Sequence, residues 1–442
     1  MSGKGIIGML LVLGALAFSC TPDEHFEPTP DSGSGSSQPG PRHAVDPIRD
    51  VMVLVSGGHN SLSSYLTEDL QEVFANELPK GIDKASNVLV VLSRLPVNSL
   101  STTSAPVLYR VYADAEGKAV RDTLRRWTEE DRLFGDHVLR EALQTVYDRY
   151  PAKTYGMVLS SHASGWLPEG YYNNPSDYEG AQSDDSGVFF APRRSSAFPP
   201  IVPDGAPVKS IGQDKDGNAS IEMNLETFVE ALPIHLDYLL LDCCLSGCVE
   251  VAWALRGKCD LLGFSQTELL AEGFDYSTIV KRLLGEGSPN PLGVCEDLYA
   301  YYAAQSGVMQ SATISLVDTR QMEDLAAVCA ALFQKYRPQL DALKGNAVQG
   351  YFRYDRHFFY DLEDILLKAG IDATEQAQLS AALSGCVRYK AATPYFMEGS
   401  SYGFPINHHC GFSMYLPSMG TQYLDNYYKD KIDWNNVTKL VE

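Results

Sequence analysis

Two kinds of reactive side chain follow directly on apolar runs. His162 comes after YGMVLSS (155–161), within Ser161-His162-Ala163-Ser164-Gly165-Trp166, and the thiols of Cys243 and Cys244 come after DYLLLD (237–242). A free thiol has a pKa near ~8.5, so it needs a base or an imidazolium beside it to supply thiolate at neutral pH. An imidazole can do this and then protonate a departing amine. Backbone N–H groups of Ala163, Ser164 and Gly165, with the amide of Cys244, could bind an oxyanion, and Gly165 lets backbone approach a substrate closely. Taken singly, His162 also reads as a satisfied polar residue at a sheet edge and Cys244 as a small core residue. Successive residues of a strand face opposite sides, so only one of the paired thiols can face a cleft. Cys244 is the expected nucleophile and Cys243 the expected buried neighbour.

Such residues need elements that bring them together. Short apolar runs at Asp50–Ser56, Asn87–Leu92, Tyr155–Ser161, Asp237–Asp242 and Asp260–Ser265 read as strands buried on both faces, with a further strand at Val107–Tyr112. Between them run helical patterns at Ser61–Glu77, where Leu62, Leu66, Leu70 and Val73 recur at helical spacing, and at Asp136–Tyr150, Leu225–Leu232 and Gly247–Leu255. The alternation predicts an α/β fold with a mostly parallel sheet and helices on both faces. Ligands of such sheets bind beyond the carboxyl ends of the strands, where both His162 and Cys244 fall. Past Gly285, helical patterns at Leu298–Gln305, Gln321–Tyr336 and Ala373–Ser384, with strand-like SATISLV (311–317) and FSMYLP (412–417), read as a C-terminal extension supporting the core. The expected organisation is a core over 47–285, containing a long loop at 167–208, and a subdomain over 286–442.

KSIGQDKDGNASIEMNLETFVEAL (209–232) and the block from Leu236 to Tyr276 resemble the clostripain family of cysteine endopeptidases, which share the caspase-like fold. The family's pattern of Asp, a small residue, nucleophilic Cys, Leu and then Val-Glu-Val falls on Asp242, Cys243, Cys244, Leu245, Val249, Glu250 and Val251. Its His-Gly-x-Gly-Trp falls on His162-Ala163-Ser164-Gly165-Trp166, with Ala163 in place of the first glycine. Asn60-Ser61-Leu62 with Tyr65, and GFSMYLP at 411–417, resemble its first loop and its C-terminal strand. The resemblance implies a caspase-like three-layer sandwich and cleavage after Arg or Lys through Cys244 and His162. An acidic pocket would receive that side chain, with Asp242 matching the family position and Glu268 and Glu272 reaching the same edge from the next loop. Asp242 could instead cap the following helix, and Glu268 and Glu272 could be solvated loop charge. A carboxylate floor favours Arg over Lys, because guanidinium pairs bidentately. Relatives can be activated by cleavage between base and nucleophile, so the 167–208 loop, which holds Arg193-Arg194, is expected to be a lid or a self-cleavage site. The alternative is an inactive caspase-like surface lipoprotein that binds peptides or glycans.

The balance of 35 Lys plus Arg against 56 Asp plus Glu, a net charge of −21, argues against nucleic acid or anionic lipid as the main partner. The apolar stretch Ile6–Phe18 after Lys4 has the length of a signal-peptide core and is too short to span a bilayer. Leu16-Ala17-Phe18-Ser19-Cys20 resembles a lipobox, so residues 1–19 read as a lipoprotein signal and Cys20 as the lipidated residue; an ordinary secretory signal is the other reading. Residues 20–46, rich in Pro, Gly and Ser, read as a flexible tether. Together these predict an exported chain, lipid-anchored to the outer membrane or cell surface. Cysteine spacing suits neither a disulfide framework nor a structural zinc site, and no metal or cofactor is expected. Asp214-Lys215-Asp216-Gly217-Asn218 has alternating oxygen ligands but carries Leu225 at the twelfth position, so a turn is preferred to a calcium loop.

Overall fold

A computed structural model describes residues 48–81, 87–95, 104–135, 137–171, 178, 211–216, 219–353 and 357–442. The segment expected to be a signal, Cys20, the expected tether, nearly all of the 167–208 loop and Gly217-Asn218 lie outside the described residues. Nine strands, β1 (Ile48–Ser56), β2 (Asn87–Ser93), β3 (Val107–Ala113), β4 (Ala119–Arg126), β5 (Ala152–Ser160), β6 (Leu236–Asp242), β7 (Cys259–Phe264), β8 (Thr313–Asp318) and β9 (Val387–Ala392), form one sheet. Their spatial order is β9-β8-β7-β6-β5-β1-β2-β3-β4. The five central strands, β2 to β7 through β1, are mutually parallel, and the outer pairs are antiparallel.

The sheet is parallel where its strands are most apolar. In β1 the stretch Asp50–Ser56 is buried throughout, as is all of β2, so neither can face water and both need helical cover. Helices α1 (Ser63–Ala75), α5 (Tyr276–Leu284) and α6 (Pro291–Ala303) supply it on one face, over Met52, Leu54, Leu89, Val91, Val158 and Leu240. On the other face lie α2 (Val138–Arg149), α3 (Leu225–Glu230), α4 (Val249–Leu255) and α7 (Met322–Lys335), over Val51, Val53, Val90, Met157, Leu239 and Leu241. The three-layer α/β sandwich expected from the sequence is therefore the architecture observed.

Two details differ from the pattern read along the chain. The edge strand β4 went unrecognised because its sequence, AVRDTLRR, is only intermediate to exposed in burial and shows no apolar run. Part of the segment expected to be an Asp-rich turn forms a hairpin of Ile211–Asp216 and Ala219–Met223. Strands β8 and β9 come from beyond residue 286 and extend the sheet itself. The GFSMYLP segment fastens the C-terminal part to the core: the Ser413 amide donates to the Gly247 carbonyl (2.8 Å) and the Tyr415 amide to Glu250 Oε1 (2.9 Å). No described helix is long and apolar enough to cross a membrane.

Candidate active site

The parallel pairing of β5 and β6 sets the site. Ser160 lies opposite Asp242, the last residue of its strand, and the Ser161 amide still donates to the Asp242 carbonyl (3.3 Å). His162 and Cys244 each stand two positions beyond that pair, so both emerge at the same sheet edge. Both are nearly buried, at 9% and 8% exposed. His162 Nε2 lies 3.0 Å from Ser61 Oγ, a hydroxyl delivered by the loop after β1. The Leu269 amide, from the loop after β7, donates to Cys244 Sγ (3.4 Å). Cys243 turns the other way, its thiol 3.5 Å from the Leu159 carbonyl.

The turn that carries the thiol is held under strain. Leu245 adopts a left-handed φ of 54°, a conformation that costs a side-chain-bearing residue of order 1–3 kcal/mol and persists where neighbours over-determine it. Those neighbours are identifiable: the Leu245 amide donates to Thr267 O (3.0 Å), Gly247 N to Ser265 O (2.7 Å), and Ser246 Oγ to Cys243 O (3.0 Å). Gly165, with φ of 62°, abuts this turn, and a β-carbon there would sit 2.5 Å from the Leu245 carbonyl oxygen. The imidazole loop and the thiol loop therefore meet at a residue that must be glycine. Ala163 and Ser164 are buried. Ala163 pairs with Ile211 in an isolated antiparallel bridge, and the Gly212 amide donates to the His162 carbonyl (2.9 Å).

Electrostatically the thiol is at rest. Burial, then the charge of Glu268, pushes the Cys244 pKa up to about 12, against the opposing Leu269 amide and Arg353. Glu268 is 2% exposed and its Oε2 lies 3.2 Å from Arg353 Nε. Asp242, the third carboxylate expected at this edge, accepts from Ser160 Oγ (3.0 Å) and Tyr276 Oη (2.8 Å), and burial raises its pKa. It caps no helix; α4 starts at Val249 with Cys248 as its cap residue. Glu272 Oε2 is buried and makes no hydrogen bond. Beside them stands Asp69 of α1, pushed up to about 9 by burial and by the charges of Asp242, Glu72, Glu68 and Glu272.

Sequence reading brought His162, Cys244, Asp242, Glu268 and Glu272 to one edge but missed Ser61 as the partner of the imidazole, Asp69, and Arg353. The repeat Leu62, Leu66, Leu70, Val73 carried a signal for Asp69, because residue 69 shares the buried face of that helix. Nothing local to Arg353 marks it, since its partner is distant in sequence. Asp214, considered for calcium, is instead fully buried against Arg94 (2.5 Å) and accepts from the amides of His59 (2.9 Å) and Leu133 (2.8 Å). A cavity of about 880 Å³ opens among Phe352, Arg353, His357, Tyr360, Asp364 and Tyr402. It contains none of the expected site residues, and its link to the site is Arg353. His409 Nε2 lies 2.7 Å from Gln266 Oε1.

Comparison with known proteins agrees with this geometry. The clostripain family model matches residues 55–180 and 203–438, more than half of the chain. The chain is a member of the clostripain family, and thus a cysteine endopeptidase. A zymogen C11 protease from Parabacteroides distasonis, described as inactive, is 24% identical, with 89% of this chain and 98% of that chain covered and a TM-score of 0.67. A secreted C11 cysteine protease from Bacteroides thetaiotaomicron, solved with an irreversible peptide inhibitor, is 23% identical, with coverage of 89% and 99% and a TM-score of 0.67. A second structure of a secreted C11 protease from that organism, named iotapain, is 20% identical, with the same coverage and a TM-score of 0.68. These likenesses establish the fold. No curated protein matches the chain. Family membership favours the enzyme over the binding-only alternative raised by the sequence.

Proposed function

We propose that the chain is an exported, membrane-anchored endopeptidase that cleaves after basic residues, Arg before Lys, using Cys244 as nucleophile and His162 as base. The observation that carries this reading is the register of β5 and β6, which supports an imidazole and a thiol cooperating at one edge. Proton transfer to His162 would yield the thiolate, whose sulfur attacks the peptide carbonyl carbon. The resulting oxyanion would be received by amides from Ala163 to Gly165 and by that of Cys244. His162 then protonates the amine as the C–N bond breaks, and later takes a proton from the water that cleaves the thioester. Asp242 and Glu272 would receive the basic side chain, with Glu268, offset by Arg353, at the wall. No metal or cofactor enters this scheme.

The buried, protonated thiol fits a resting form, and we infer activation by self-cleavage within 167–208. The lipobox at Leu16–Cys20 supports anchoring through Cys20. A fluorogenic Arg-terminated peptide tests the core of the proposal. Wild type, before or after trypsin nicking, should hydrolyse it, and Cys244→Ala and His162→Ala should each lose at least about 10⁴-fold in kcat. Hydrolysis surviving either change would overturn the assignment. Fragmentation of wild type but not Cys244→Ala on denaturing gels would support self-cleavage, and equal fragmentation would remove it.

A further inference from the structure

The residues beneath the proposed cleft show an imbalance of charge. Helix α1 buries Leu66, Leu70 and Val73, and within that stripe, three residues after Leu66 and four before Val73, stands Asp69. An amphipathic helix normally keeps a carboxylate off this face. Leu62 and Leu66 pack with Ala271, so α1 rests against the loop that carries Glu272. Asp69 is 9% exposed, and its carboxylate makes no hydrogen bond or ion pair with the described residues. Glu272 Oε2 is likewise buried without a partner. Asp242 accepts from the hydroxyls of Ser160 and Tyr276 and from the Phe274 amide, all of them uncharged donors.

The groups facing Asp69 are Asp242 at the end of β6, Glu272 in the loop after β7, and Glu68 and Glu72 on α1 itself. The hydroxyls of Tyr276 on α5 and Tyr302 on α6 also feel its charge. Among the described residues no lysine or arginine forms an ion pair with Asp69, Asp242 or Glu272. Other buried carboxylates have partners: Asp214 pairs with Arg94 and Asp318 with Arg320 and Arg388, while Glu250 accepts from the Tyr415 amide and Tyr428 Oη, and Asp361 from Tyr351 Oη and the amides of Asp364 and Cys410. A desolvated anion needs a cation or a proton, and at this place the fold supplies no cation.

We propose that Asp69 is a specificity-determining residue, a third carboxylate that the substrate's guanidinium meets together with Asp242 and Glu272. This rests on the reading that the enzyme cleaves after basic residues. Five N–H donors in a planar fork can serve more than one carboxylate at once, whereas an ammonium presents three around one point. Without substrate, Asp69 keeps its proton at neutral pH, in keeping with a pKa of about 9. Entry of the cation expels that proton, so binding tightens as pH rises toward that value.

The test measures kcat and KM for Arg- and Lys-terminated fluorogenic peptides on active full-length enzyme, from about pH 6 to about pH 9. In wild type, KM for the Arg peptide should fall with rising pH. Asp69→Asn should raise that KM about tenfold near pH 8, leave kcat within about twofold, narrow the preference for Arg over Lys and flatten the pH dependence of KM. Calorimetry with benzamidine, an aromatic amidine cation, in buffers of different ionisation heat should show proton release on binding to wild type and less to Asp69→Asn. Should Asp69→Asn fail to fold, benzamidine binding to wild type still decides: binding without proton release overturns the role of Asp69. Arg cleavage with an Asp69→Asn variant indistinguishable from wild type overturns this inference alone. Failure of wild type to cleave either basic peptide, while cleaving others, overturns the parent reading instead.

Discussion

Two sets of buried carboxylates differ in what meets them. Asp214 and Arg94 are both fully buried, and Asp214 also accepts from two backbone amides. The pair ties the hairpin to the end of β2, and the His59 amide ties it to the loop after β1, which carries Ser61. Across the site no cation among the described residues meets Asp69, Asp242 or Glu272; Asp242 accepts from two hydroxyls and the Phe274 amide. The first arrangement is complete in the absence of any ligand and builds the scaffold. The second is incomplete without one, and its cost is borne where a substrate can offset it.

The difference is sharpest in stability. Arg94→Ala should destabilise by about 3–5 kcal/mol in urea unfolding, because it strands a buried carboxylate. Adding Asp214→Asn to it should recover part of that loss. Asp69→Asn should leave stability at neutral pH unchanged or higher. The sign follows from its raised pKa: the folded state holds a proton that the unfolded state releases near pH ~4, so stability falls as pH rises from there toward about 9. Asp69→Asn removes that fall. Equal destabilisation by Arg94→Ala and Asp69→Asn would erase the distinction between scaffold and pocket.

A smaller effect concerns the thiol. Its pKa of about 12 in the resting form means that alkylation of Cys244 by iodoacetamide should keep rising with pH through the ordinary thiol range, without a plateau near ~8.5. Glu268→Gln should speed the reaction at fixed pH, by removing a charge that opposes the thiolate. Arg353→Ala should slow it. Peptide mapping after timed alkylation reads both, and a plateau near the ordinary value would contradict the resting state described.

Much of this was legible in the sequence, and the reason is geometric. Uninterrupted apolar runs such as YGMVLSS and DYLLLD mark strands buried on both faces, and the residues just past them, His162 and Cys244, must then lie at one edge. Asp69 was written in the same pattern, at a position that the spacing of Leu66 and Val73 turns inward, but an acid in an amphipathic helix is readily assigned to the wet side. The Ser61 contact and the Arg353 to Glu268 pair depend on how distant loops pack, which local periodicity does not encode. Strand β4 escaped because a half-exposed edge strand has no apolar run to announce it.

Labelling with an irreversible Arg-terminated peptide reagent, followed by mass mapping, tests the central claim most directly. The account predicts a single adduct on Cys244 in active wild type, formed far more slowly in His162→Ala and prevented by excess benzamidine. An adduct on Cys243 or another thiol, or labelling of Cys244 at an unchanged rate without His162, would contradict it.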